Sequence, residues 1–498
     1  MRVPLAKYPG MNRFVLDWLD GDERFLPRSA GAPVPARPAH RVSGSLVEAL
    51  RESNQRWGVF AGDALVRWAS GGTLTIIAGQ QVGFAGGPLY TLAKLASIVR
   101  FKRDMEKQGI PVTAFFWLAT EDHDYDEVAT LNVPVAHREV DLLRIRAVRS
   151  ADRAGKPVVG PLPIPEELIT QFLAQHDIPR PAWLRPGITF GDSFAELIAA
   201  TFGSEVILVD ALLPELRRAG APLFEQILAN HDRIQRVLHD RAEELEAAGY
   251  QEQVIAREGS EYTLLFELDD QGNRQPLITN RQPAPERTST SALTRPLLQD
   301  ALFRPDIFLG GPAEVAYYAQ VNVLHELFGI PQPRVALRGH VLVAPKRVAR
   351  AFERYGIDPA EVFRSTDEIL AGHEPEGVAR IRELRDEGRR ELLKRVEQIG
   401  ELALPADHSL ASSIQRSIGH LEFHFDKLAE RAVKGLVRKD RERYAALREL
   451  AATLYPDRHV QDRVVSWYSY VCQHGSEVIE RIIEEVEPDS AFFKVVSL

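Results

Sequence analysis

At 498 residues the chain exceeds what one hydrophobic core normally organises, so two or three packed units are expected. Hydrophobic residues at 45% and charged residues at 26% exclude a fibrous or disordered chain. A formal charge of -9 argues against a surface built to hold nucleic acid, and the single cysteine, Cys472, excludes a disulfide framework and a Cys-rich zinc site.

The N-terminal MRVPLAKYPGMNRFVLDW lacks the apolar run of a secretory signal, and no window reaches the ~18 apolar residues of a membrane span, so a cytoplasmic protein is expected. Residues 21–44, rich in Pro, Gly and Ala, read as an irregular arm before a helix over LVEALRESNQRWG. TLTIIAG then predicts a buried strand, PLYTLAKLASIVRFKRDMEKQG an amphipathic helix started by Pro88, and VTAFFWLAT a second strand. Strand, helix and strand make a βαβ unit, which implies a parallel sheet with helices on its faces.

Further on, LNVPVAHREVDLLRIRA suggests short strands, GDSFAELIAATFG a helix capped near Gly191 and Asp192, and EVILVD another core strand. Residues 250–295 alternate in a β-like way (QVIAR, YTLLFEL) around the turn DDQGN and read as an inserted hairpin, part of an insertion over about 215–300. The core resumes with DIFLGGPAEVAYYAQVNVLHELFG and RVALRGHVLVAP. Residues 366–455 are expected to form an antiparallel coiled-coil arm. Its second helix carries a seam of Leu410, Ile414, Ile418, Leu421, Phe425, Leu428, Ala432 and Leu436, and the break lies at Leu404–His408. A last helix over VQDRVVSWYSYVCQHGSEVIERIIEEV is expected to pack back on the core of residues 1–365.

Three loops follow strands, where parallel sheets place ligands. In AGQQVGFAGGPLYTLAK, Gly83, Gly86 and Gly87 relax the backbone before a helix N-terminus that favours an anion. Gln80, Gln81, Tyr90, Thr91 and Lys94 add polar and charged groups. In TEDHDYDE, the groups Glu121, Asp122, His123, Asp124 and Asp126 suit acid–base work, an amine or a hard cation. In FLGGPAEVAYYAQ, Gly310, Gly311, Glu314, Tyr317 and Tyr318 repeat the strand, turn and helix grammar. Arg338 and His340 on a later strand, and Cys472 with His474, read as structural. The run RAVKGLVRKDRER reads as a solvated helix face.

Taken in order, GQQVGFAGGPLYTLAK, FFWLATEDHDYDEV, FLGGPAEVAYYAQ and LYPDRHVQDR resemble the bacillithiol biosynthesis cysteine-adding enzymes over nearly the whole chain. The resemblance implies a Rossmann-like core with inserted segments and an α-helical coiled-coil domain supporting a homodimer. It also implies ligation of cysteine to the amine of glucosaminyl-malate, the last step of bacillithiol synthesis. The core is similar to class I nucleotidyl-transferase folds, whose HxGH signature is absent here, and Leu337–His340 departs from the family's Pro-Arg and hydroxyl pattern.

Amide formation from a free carboxylate needs activation, so ATP is an expected partner and Mg²⁺ a candidate ion. His123 is then the nearest base, with Glu121, Asp122 and Asp124 orienting amines or the metal. Two other readings stay open on the residues alone: a nucleotide-binding interaction or sensor protein with a docking arm, and a nucleotidyl-transferase acting on another acceptor.

Overall fold

The runs TLTIIAG and VTAFFWL have no polar face to leave in water, and they become neighbouring strands in the interior. The computed structural model describes residues 1–28, 42–135, 141–148, 155–253 and 261–498. The first strands in chain order are β1 (Arg2–Pro4), β2 (Leu74–Gln80), β3 (Val112–Leu118), β4 (Thr130–Pro134), β5 (Leu142–Arg146) and β6 (Ile207–Asp210). They are followed by β7 (Tyr262–Leu268), β8 (Arg274–Ile278), β9 (Thr288–Thr290), β10 (Ile307–Gly310), β11 (Arg334–Leu337), β12 (His340–Ala344) and β13 (Phe492–Ser497). The described residues divide into one unit of Met1–Pro345 with His459–Leu498 and a second of Lys346–Arg458.

The first unit is built on a five-stranded, wholly parallel sheet in the order β11-β10-β2-β3-β6. From β2 the chain moves outward to β3 and β6, then returns to β10 on the other side of β2. The strand order therefore reverses between β2 and β10, and the carboxyl ends of those two strands open the crevice in which α/β proteins bind ligands. Every residue of β3 is buried, as two covered faces require. The βαβ unit forms as expected: the helix Leu89–Lys107 crosses between β2 and β3, with Leu89 and the run Thr91–Val99 buried.

A three-stranded sheet β1-β13-β12 and the antiparallel hairpin β4-β5 flank this core. The inserted hairpin is present as β7 and β8, joined where Asp269 Oδ1 accepts hydrogen bonds from the N–H groups of Gln271 and Asn273 at 2.9 and 2.8 Å. β9 joins it as a third strand, in the order β8-β7-β9. The strand expected at QVIAR, residues 253–257, lies outside the described residues from 254 on.

Three expectations are corrected. The last helix is three short ones, Gln461–Val464, Trp467–His474 and Glu477–Glu485. Val465 and Ser466 between the first two are extended, and the Val465 carbonyl accepts from the Leu89 N–H at 2.8 Å. The helix of GDSFAELIAATFG starts at Phe190 under a Thr189 cap, whose hydroxyl accepts from the Asp192 N–H. RVALRGHVLVAP is two strands in two different sheets, β11 and β12, broken at Gly339, where a Cβ would overlap Val486.

In the second unit, the helices Val378–Ala403 and Ala411–Lys439 pack on each other, with Arg389 and Glu422 paired across them at 2.8 Å. A Cβ on Gly388 would overlap the Phe425 ring, so the two backbones approach closely there. The expected seam splits: Ile414, Ile418 and Phe425 are half-buried, whereas Leu421 and Leu428 are exposed.

Gly86 (φ +85°) packs closely against the Trp467 indole, whose Nε1–H donates to the Gly86 carbonyl at 2.9 Å. Its freedom serves this contact and not the approach of a ligand. Gly86→Ala should lower the unfolding free energy by about 2 kcal/mol or more in denaturant titration, from overpacking and a strained φ together.

Candidate active site

The three loops singled out in the sequence meet at the carboxyl ends of β2, β3 and β10. Gln80, Gln81, Tyr90, Lys94, Glu121, Asp122, Gly311, Glu314 and Tyr317 share one cavity of about 430 Å³. Gln80, Gln81 and Tyr90 also face an adjoining cavity of about 390 Å³, lined further by Gly83, Gly87, Thr91, Asp124 and Asp126. Gly86, Gly310 and His123 line neither cavity. Gly310 is pressed between the Phe308 ring and the Glu314 side chain, and His123 stands behind Asp122.

Two groups expected to meet ligands are engaged within the protein. Lys94, 2% exposed, donates to Glu314 Oε2 at 2.6 Å, to the Gly79 carbonyl at 2.7 Å and to Gln80 Oε1 at 3.0 Å. Burial pulls the Lys94 ammonium below its ordinary range, and Glu314 opposes this. Burial also pushes Glu314 up, but Lys94, Arg295 and the Gly311 N–H outweigh it and hold the carboxylate ionised. Glu121 is buried and accepts from Arg217 at 3.0 Å, from the Ser289 hydroxyl at 2.7 Å and from the Thr290 hydroxyl at 2.9 Å.

Both helix N-termini expected to cradle an anion are partly closed as well. The Leu89 N–H is taken by the Val465 carbonyl, and the Gly311 N–H by Glu314 at 2.7 Å. The positive charge of the cavity comes instead from Arg274, Arg295, Arg338 and Arg463, of which the sequence reading named only Arg338, as structural. Arg338 does pair with buried Asp462, at 2.9 Å, and lies over the Tyr90 ring. Arg274, Arg295 and Arg463 have no carboxylate within ion-pair distance among the described residues. The indole N–H of Trp117, a side chain 1% exposed on the same cavity, has no acceptor among them either.

A family model described as "Bacillithiol biosynthesis BshC, N-terminal Rossmann-like domain" matches residues 34–284 and 267–339, and its companion coiled-coil domain matches 341–498. The chain belongs to the BshC family. Relatives in Solibacter usitatus (28% identical, covering 94% of this chain and 92% of the relative), Koribacter versatilis (28%, 97% and 97%) and Bacillus cereus (26%, 83% and 82%) each carry the name "Putative cysteine ligase BshC". The ligase class expected from the motifs agrees with those names. The BshC coiled-coil model runs on through 459–498, which here complete the Rossmann-like unit and supply Arg463 to its cavity. The signal for that arginine was present in LYPDRHVQDR. Arg274 and Arg295 come from the insertion, where nothing in residue order marks them as site residues.

Within this BshC site, Asp122 is the carboxylate left facing the cavity, with Gln81 Nε2 donating to its Oδ2 at 2.5 Å. Its Oδ1 accepts from the His123 N–H at 2.6 Å, fixing the turn after β3. His123 Nδ1 lies 3.2 Å from the Arg274 guanidinium, which can only donate, so Nδ1 accepts and the neutral ring carries its proton on Nε2. Burial, then the charge of Arg274, lowers the His123 pKa below its ordinary value near 6.5. Among the described residues no group of three or more His, Cys, Asp or Glu is arranged to hold a metal ion, and no helix is long and apolar enough to cross a membrane.

Lys94→Met leaves Glu314 buried beside Arg295 without its ion-pair partner and should cost about 3–5 kcal/mol of stability. Adding Glu314→Gln, which keeps an acceptor for Gly311, should recover most of that loss in the same unfolding experiment. By NMR titration, His123 should protonate below pH 6.5, and Arg274→Met should move its midpoint upward.

Proposed function

We propose that the chain is a ligase joining the carboxyl group of cysteine to the amine of glucosaminyl-malate, the last step of bacillithiol biosynthesis, with ATP activating the carboxyl group. The observation that carries this reading is the set Arg274, Arg295 and Arg463, which line one cavity without carboxylate partners. Such a set matches an anion with several acceptor oxygens, as the malate carboxylates and a nucleotide phosphate both are. Guanidinium groups fit a polyphosphate without a protein-held metal, and Mg²⁺ would arrive on the phosphates. ATP supplies what the cysteine carboxylate lacks, a leaving group on its carbonyl carbon.

The remaining residues act on the amine. Asp122, held by Gln81, accepts a hydrogen bond from the glucosamine ammonium and holds its nitrogen toward the acyl carbon, where the lone pair is free once a proton has left. The proton passes by way of Asp122 to His123 behind it: when an anion draws Arg274 away, Nδ1, 3.8 Å from Asp122 Oδ1, is released as an acceptor. Lys94, Glu314 and Glu121 hold the walls in place. The exposed Leu421 and Leu428, a heptad apart on the helix Ala411–Lys439, supply an apolar stripe for a second copy of the chain, giving the homodimer.

Purified protein incubated with L-cysteine, ATP and glucosaminyl-malate should yield the cysteinyl amide by mass spectrometry. Arg295→Met should lower kcat/KM by about tenfold to a hundredfold, the range for a lost hydrogen bond to a charged group. His123→Ala should cut turnover while leaving the unfolding curve unchanged; full activity in that variant removes His123 from the mechanism.

A further inference from the structure

The smaller cavity adjoins the arginine-lined one across Gln80, Gln81, Tyr90 and Arg463, but in its lining carboxylates outnumber cations. Asp124, Asp126 and Glu127, in and just before the short helix Tyr125–Val128, line it, and none of them pairs with a cation among the described residues. Burial pushes the Glu127 pKa up, against a hydrogen bond from Gln81 and the charge of Arg463, and the nearby Asp124 and Asp122 charges add to the rise. Arg144 and Arg463 line the same cavity without an ion-pair partner among the described residues, so groups of both signs face it unpaired.

A second observation is independent of those carboxylates. Ser466 lines the same cavity and is 1% exposed, yet its hydroxyl has no hydrogen-bond partner. Its backbone does the structural work, donating to the Asn132 carbonyl at 2.9 Å and bridging to Pro88, for which alanine would serve equally. A buried hydroxyl left unpaired is costly, so its presence points to a ligand atom. Arg463, on the wall shared with the larger cavity, adds a guanidinium without a carboxylate partner.

We propose that this cavity is the amino-acid subsite. It takes a small zwitterionic amino acid with its ammonium on Asp126 and Glu127, its carboxylate toward Arg463 and its side-chain polar atom toward Ser466 Oγ. This rests on the ligase reading, in which cysteine is that amino acid. The carboxylate then sits at the shared wall, facing the cavity from which the second substrate's amine approaches Asp122.

The test is calorimetric titration of the full chain with L-cysteine and with 3-mercaptopropionate, which keeps thiol and carboxylate but lacks the ammonium. L-cysteine should bind at least about tenfold tighter. Asp126→Asn with Glu127→Gln should weaken cysteine about tenfold or more and leave malate binding at Arg274 and Arg295 unchanged. Ser466→Ala should weaken cysteine severalfold without lowering the thermal midpoint, because the free protein loses no hydrogen bond.

Equal cysteine affinity in the double variant and the parent chain overturns the subsite. So does 3-mercaptopropionate binding as tightly as cysteine, absence of cysteine binding to the parent chain, or loss of Mg²⁺ in the double variant with cysteine unaffected. The ligase reading fails separately. Product made with an unchanged KM for cysteine in the double variant overturns the subsite alone, and ammonium-dependent cysteine binding without product overturns the ligase reading alone.

Discussion

The buried ion pair between Lys94 and Glu314 ties together the two corners on which the crevice depends. Lys94 lies in the first turns of the helix that follows β2, and Glu314 in the first turn of the helix that follows β10. These two strands are neighbours at the point where the strand order reverses. The ammonium also holds the Gly79 carbonyl and the Gln80 side chain, and the carboxylate holds the Gly311 N–H. One ammonium thus fixes the end of β2 and the turn after β10 against each other. Desolvating both charges is unfavourable, and the extra hydrogen bonds around the pair are what make it tolerable in the interior.

A second buried pair does the same for the insertion. Glu121 at the end of β3 accepts from Arg217 and from two hydroxyls of β9. Arg217 in turn donates to the Thr288 carbonyl. The β8-β7-β9 sheet is thereby anchored to the core loop, and it carries Arg274 to the crevice, with Arg295 close behind in sequence. The insertion thus gains its position from charge-assisted bonds.

The sheet, its helices and the helical hairpin were legible because each rests on local periodicity: runs such as VTAFFWL without a polar face, and an apolar repeat from Leu410 to Leu436. The three loops were legible as site loops because the carboxyl ends of parallel strands are where backbone groups and helix starts face open space. Which charges within those loops stay open was not. Lys94 and Asp122 look alike in sequence as charged residues beside a glycine-rich or acidic turn; only the partner 220 residues away, Glu314, separates the engaged lysine from the carboxylate that remains available. The same long range hid Val465 and Ser466, whose extended backbone breaks an otherwise helical pattern to hold the Leu89 corner.

The charged residues of the motifs therefore fall into two populations with different physical duties. Lys94, Glu314, Glu121, Arg217, Arg338 and Asp462 are matched with one another in the interior, where a neutral substitute for one member strands the other. Arg274, Arg295, Arg463, Asp122, Asp126 and Glu127 are unmatched among the described residues and face the two cavities. The first population sets the geometry from which the second acquires its purpose: charges held apart from counter-ions by a rigid frame remain strong attractors for a ligand of complementary charge, whereas on a mobile surface they would pair with each other or be screened by water. A surplus of cations in one cavity and of carboxylates in the other then favours two ligands whose reactive ends meet at the shared wall, an arrangement suited to joining a carboxyl carbon to an amine.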